Sequence, residues 1–90
     1  MSVNAIFVVL NDKGLHTRPS TELAKCAAQF NSNVSLSYRK YVVNAKSILG
    51  ILILAAERGA KVKVHAVGPD AHQAVGAIVK LAKNRFNFKY

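Results

Sequence analysis

Two hydrophobic periodicities take turns along this chain, and their order leaves few folds open. Ser2 to Leu10 (SVNAIFVVL) is rich in β-branched and aromatic residues and predicts a mostly buried strand. Asn11-Asp12-Lys13-Gly14 is turn chemistry. A helix is expected from about Thr17, with Pro19 in its first turn, where a missing N–H costs little. Glu22 is expected in that same turn, on the side the helix dipole favours. Leu23, Cys26, Ala27 and Phe30 then keep the i, i+3, i+4, i+7 spacing of one core-facing stripe, ended by Asn31-Ser32-Asn33.

The period then changes. Val34, Leu36 and Tyr38 alternate with Ser35, Ser37 and Arg39, as in a half-buried strand. Tyr41 to Asn44 reads as the return strand of a hairpin turning at Arg39-Lys40, although that turn has neither Gly nor Asn. Lys46 to Ala56 predicts a short apolar helix capped by Ser47 and closed by Glu57-Arg58-Gly59, with Gly59 left-handed. Lys61, Lys63 and His65 alternate with Val62, Val64 and Ala66, a strand with one wet face. After the turn Gly68-Pro69-Asp70, Asp70 and Gln73 have the spacing of a capping box. The last helix turns Ala71, Ala74, Val75, Ile78 and Ala82 inward and is expected to fray over 84–90. Hairpins with helices on one face predict an α+β two-layer sandwich built on an antiparallel sheet.

Ninety residues form one domain, 1–90, that should bury about 60–65% of its unfolded surface. At 51% hydrophobic and 19% charged residues, disorder is excluded. The single cysteine, Cys26, supports neither an internal disulfide nor a zinc site, and its place on the apolar stripe predicts a buried, inert thiol. The start MSVNAIFVVLND lacks the combined features of a signal peptide, and Ile48 to Ala56 is far short of a membrane span of about 20 residues. No membrane insertion and a cytoplasmic location are expected. The charge is less ordinary: 13 Lys and Arg against 4 Asp and Glu give +9, and no acidic residue follows Asp70. That balance calls for an acidic partner surface, a phosphorylated ligand or nucleic acid.

Gly14-Leu15-His16-Thr17-Arg18-Pro19 is the segment richest in chemistry. A histidine just before a helix start stands where unpaired backbone N–H groups and the positive dipole end converge, a geometry that binds phosphate. Arg18 adds a guanidinium able to grip phosphate oxygens in a fork. A neutral imidazole attacks phosphorus at pH 7 and its phosphoramidate leaves easily. These parts describe a phosphoryl-accepting histidine, although a solitary turn histidine is more commonly just solvated.

Here the sequence resembles the HPr family, the histidine-containing phosphocarriers of the bacterial sugar phosphotransferase system. GLHTRP matches that family's phosphorylation motif, and Lys46-Ser47-Ile48-Leu49-Gly50 is similar to its regulatory serine site, phosphorylated in many bacteria by HPr kinase/phosphorylase. The resemblance runs from about Ile6 to Leu81. It implies an open-faced β-sandwich, a four-stranded antiparallel sheet with three helices on one face. It also implies that His16 takes a phosphoryl group on Nδ1 from phospho-Enzyme I and passes it to the A component of a sugar permease. The phosphate would be held by Arg18 and the Thr17 backbone. Such a protein is a carrier rather than an enzyme with independent turnover, a monomer needing no cofactor or metal. The implied docking face comprises Thr17, Ser20, Ile48, Leu49 and Leu52, with Arg18 and Ile53 alongside.

Other readings start from other residues. Ser47 serves as a helix cap whether or not it is a regulatory site. His65, His72 and Asp70 match no standard metal-ligand spacing. Tyr38-Arg39-Lys40-Tyr41 and the tail Lys80, Lys83, Arg85, Lys89 have the aromatic-basic mixture of a small nucleic-acid-binding domain, a class that leaves GLHTRP and KSILG unexplained. A carrier for a nitrogen-linked or regulatory phosphotransferase chain would share both histidine and fold. The basicity and the Phe86–Tyr90 tail depart from the family's usual pattern.

Overall fold

The computed structural model describes residues 1–89. Four strands, β1 (Ser2–Val8), β2 (Asn33–Tyr38), β3 (Tyr41–Asn44) and β4 (Lys61–Val67), form one antiparallel sheet in the order β1-β4-β2-β3. Three helices, α1 (Thr17–Ala28), α2 (Ile48–Leu54) and α3 (Ala71–Lys83), cover one face, giving the expected open-faced β-sandwich. The strand alternation sets the layers. Ala5, Val64, Leu36 and Val43 oppose one another across all four strands on the covered side. Ile6, Lys63, Ser37 and Val42 do so on the open side.

β1 departs from the mostly buried strand expected. It lies at the sheet edge with one face uncovered, so only Phe7 within it is fully buried and Ile6 is 62% exposed. Its apolar run reads as core in one dimension and as a half-wet edge in three. The β2–β3 hairpin forms with Tyr38 opposite Tyr41, and Arg39 at φ 56° adopts the left-handed turn geometry that Gly or Asn usually provides.

Helix ends show further differences. Glu22 lies beyond the first turn of α1, where its carboxylate stands 3.6 Å from Lys25 instead of meeting the dipole end. The fully buried face of α1 is Pro19, Ser20, Leu23, Ala24 and Ala27, while Cys26 and Phe30 are half-buried. α2 is capped as predicted, the Ser47 hydroxyl accepting from the Gly50 amide at 3.0 Å. It ends on Ala55 in the left-handed region, and Gly59 takes positive φ in the turn beyond.

The Asp70–Gln73 capping box does not form, since Asp70 makes no side-chain cap bond. Its carboxylate accepts from the amides of Asn31 and Ser32 at 2.9 Å and from the Ser32 hydroxyl, tying the α1–β2 loop to the start of α3. Nor does the chain fray after α3. Arg85–Asn87 form a tight turn whose Phe86 is fully buried, its ring edge-on to Phe7 with centroids 6.0 Å apart. Tyr90, the end of the predicted fraying segment, lies outside the described residues.

Candidate functional site

The segment carrying His16 is strapped down on both sides. Leaving the sheet, Val9 exchanges backbone bonds with Gly59 and Ala60 at 2.7 and 2.9 Å. Gly14 follows at φ +69°, and a Cβ there would stand 2.2 Å from the Ala56 carbonyl oxygen, so only glycine permits this approach. The Leu15 amide then donates to that same carbonyl at 2.9 Å. Beyond the histidine, Ser20 completes the strap: its hydroxyl donates to the Leu15 carbonyl and its amide to the His16 carbonyl, each at 3.0 Å.

Ser20 is thereby corrected from a docking residue to a buried brace. It has no exposed surface and its hydroxyl is already bonded, so it offers nothing to a partner. Proximity in sequence to an exposed histidine hid the inward direction of the i+4 position.

His16 is the N-cap of α1 in extended backbone (φ −83°, ψ −166°), yet its ring makes no capping bond. The imidazole is half-exposed and fixed through its main chain rather than its nitrogens. Ahead of it, Pro19 supplies no N–H and the Ser20 amide is bonded to His16. The amides of Thr17 and Arg18 are the donors left at the positive end of the helix dipole. Thr17 and Arg18 are both exposed, and the Arg18 guanidinium carbon lies 5.9 Å from the Phe88 ring centroid. The cluster has an uncommitted imidazole ring, two free amides and an exposed cation. It can receive a phosphoryl group and stabilise its charge.

The Leu15–Ala56 bond joins this site to the C-terminal end of α2, which packs beside α1. Ile51 and Leu54 face the core; Ile48, Leu49 and Ile53 point out, Leu49 at 74% exposure, and Leu52 is half-buried. Ser47 is half-exposed at the far end of α2, about 10 Å away along a helix of seven residues. The ammonium of Lys46, next to Ser47, donates to the Phe30 carbonyl at 2.8 Å.

The remaining candidates are not brought together. His65 lies on the open sheet face, 3.2 Å from the Ser2 hydroxyl, His72 is exposed on α3, and Asp70 is bonded to the Asn31–Ser32 loop. Among the described residues no group of three His, Cys, Asp or Glu side chains could hold a metal. Cys26 lines an open groove of about 870 Å³ between α1 and α3, and burial pushes its thiol up, which disfavours the reactive thiolate. At the hairpin tip, Arg39 stacks on the neighbouring Tyr38 ring at 5.2 Å. Phe88 is the site neighbour that sequence reasoning missed; the only signal was an aromatic residue in a tail expected to fray.

The family model for the PTS HPr component phosphorylation site matches residues 3–84. A phosphocarrier protein HPr of Xylella fastidiosa is 42% identical over 80 residues, covering 89% of this chain and 90% of that protein. One from Cupriavidus necator is 41% identical over 78 residues, covering 87% and 88%. The crystal structure of HPr-C-His from Thermoanaerobacter tengcongensis superposes with a TM-score of 0.92 at 33% identity, covering 98% of this chain and 99% of that one. An HPr from Bacillus anthracis gives 0.83 at 30%, covering 88% and 94%. Fold and matches together define a phosphocarrier protein, not an enzyme in itself. The chain belongs to the HPr family of the phosphotransferase system.

Proposed function

We propose that residues 1–90 act as a single phosphocarrier unit in which His16 receives a phosphoryl group from phospho-Enzyme I. The observation that carries this reading is the uncommitted His16 ring, held by its backbone in front of the Thr17 and Arg18 amides. In the reactive tautomer the proton sits on Nε2 and the Nδ1 lone pair attacks phosphorus in line. The bond from phosphorus to the donor's histidine breaks, and its electron pair returns to that ring. Charge on the transferred group is met by the two amides, the dipole end and the Arg18 fork. The same steps in reverse deliver the group to the A component of a sugar permease. The chain needs no metal or cofactor for this exchange and works as a cytoplasmic monomer.

Both partners dock on Thr17, Arg18, Ile48, Leu49 and Leu52, with Ile53 extending the patch. Exposed aliphatic side chains beside a reactive group suit a transient interface with a polar rim. The +9 charge favours rapid encounter with acidic partner surfaces. Ser47, at one end of this patch, is the regulatory site for an HPr kinase/phosphorylase; a phosphate there sets about two negative charges against an acidic partner.

A reconstituted relay tests the whole reading. With phosphoenolpyruvate and Enzyme I present, adding this chain should transfer label onto an A component that stays unlabelled without it. An A component labelled equally well in its absence would remove the carrier role.

A further inference from the structure

Just before Phe88 the backbone takes a conformation that disfavours ordinary side chains, and the residue this conformation delivers meets Arg18. Arg85, Phe86 and Asn87 have φ of 53°, 53° and 69°, three successive non-glycine residues in the left-handed region. Such a run persists only where surrounding contacts over-determine it, and these runs cluster at functional sites. Here the buried Phe86 ring packs edge-on against Phe7, and the Asn11 side-chain amide donates to the Arg85 carbonyl at 2.9 Å. The Asn84 and Asn87 side chains bond to each other at 2.9 Å, and the Phe88 amide closes onto the Arg85 carbonyl at 3.1 Å. The chain then extends at Phe88, whose half-buried ring lies under the Arg18 guanidinium at 5.9 Å.

We infer that Phe88 is a positioning residue for phosphoryl transfer, a ring platform that holds the Arg18 guanidinium at the helix end capped by His16. The inference rests on the phosphocarrier reading above. A guanidinium stacks through its face and donates through its edge, so a ring beneath it leaves the fork open to phosphate. The ring attracts the cation without offering an anion that would compete with phosphate for it. Arg18 is otherwise exposed, and a long free side chain must be immobilised again at each transfer. A platform already in place removes part of that cost.

The test measures the rate at which phospho-Enzyme I labels His16 in the full chain. Phe88→Leu keeps apolar volume and removes the π face, whereas Phe88→Tyr keeps both. The leucine variant should be slower by about two- to five-fold, the effect of an exposed cation–π contact. The tyrosine variant should match the wild type. In an Arg18→Ala background, Phe88→Leu should change nothing further, because the ring acts through the guanidinium. Equal slowing by Phe88→Leu in both backgrounds, or a leucine variant at the wild-type rate, would overturn the platform while leaving the carrier reading intact. Failure of the wild-type chain to accept label would overturn both.

Discussion

The Leu15 amide donates to the Ala56 carbonyl at 2.9 Å, and this bond fixes the loop before His16 to the end of α2. One backbone contact thereby sets His16 and the exposed aliphatic patch in a fixed relation. Under the proposed function, a partner docking on Ile48, Leu49 and Leu52 would meet His16 in a defined place.

Gly14 makes that contact possible, so Gly14→Ala should disturb it directly. The added methyl meets the Ala56 carbonyl oxygen at 2.2 Å, at a φ of +69° that alanine rarely adopts. We expect a loss of about 1–3 kcal/mol in urea denaturation and slower labelling of His16. Unchanged stability would show that the loop accommodates a side chain without shifting.

Arg18→Ala separates folding from chemistry. The side chain is exposed and its ring contact is peripheral, so the melting temperature should hold. Transfer to His16 should slow about ten- to a hundred-fold, matching the roughly 1.5–3 kcal/mol of a charged hydrogen bond. Wild-type kinetics would mean the helix end alone stabilises the phosphorylated state.

Ser47 has a structural duty that any regulatory role must share. Ser47→Ala removes the bond from the Gly50 amide and should cost about 1 kcal/mol. Ser47→Asp keeps a capping oxygen, so it should fold normally while slowing His16 phosphorylation through charge. That slowing should shrink as salt rises from 0.1 to 1 M, where the screening length falls from about 10 to 3 Å. A Ser47→Asp variant labelled at the wild-type rate would leave Ser47 as a cap only.

Asp70 predicts a pH dependence of stability. The Ser32 hydroxyl, with the Asn31 amide next, bonds the ionised carboxylate and lowers its pKa. Its contribution is therefore present above the ordinary carboxylate pKa of about 4 and is lost as pH falls through the lower folded value. The acid limb of a Tm–pH curve should flatten in Asp70→Asn, and Tm at pH 7 should drop. An identical acid limb in the variant would remove Asp70 from the account.

Features set by neighbouring residues were legible in the sequence. Period-2 alternation placed β2 and β4, Ser47 announced the α2 cap, and the spacing around His16 located the helix start. Most misreadings depended on a partner distant in sequence; Ser20 is the exception, its partner Leu15 lying five residues back. Asp70 suits a capping box until the Ser32 loop comes within reach, and Ser20 looks available until Leu15 turns beneath it. Likewise, Phe86 looks like tail until Phe7 is beside it. β1 showed the converse, its apolar run giving no sign that the strand lies at an edge.

The central claim is that His16 is the phosphoryl acceptor, and site-resolved labelling tests it most directly. Incubated with phosphoenolpyruvate and Enzyme I, the chain should acquire one acid-labile, base-stable phosphoramidate, visible by ³¹P NMR. His65→Ala and His72→Ala should retain it, and His16→Ala should lose it entirely. A His16→Ala variant that still takes up the label would contradict the account.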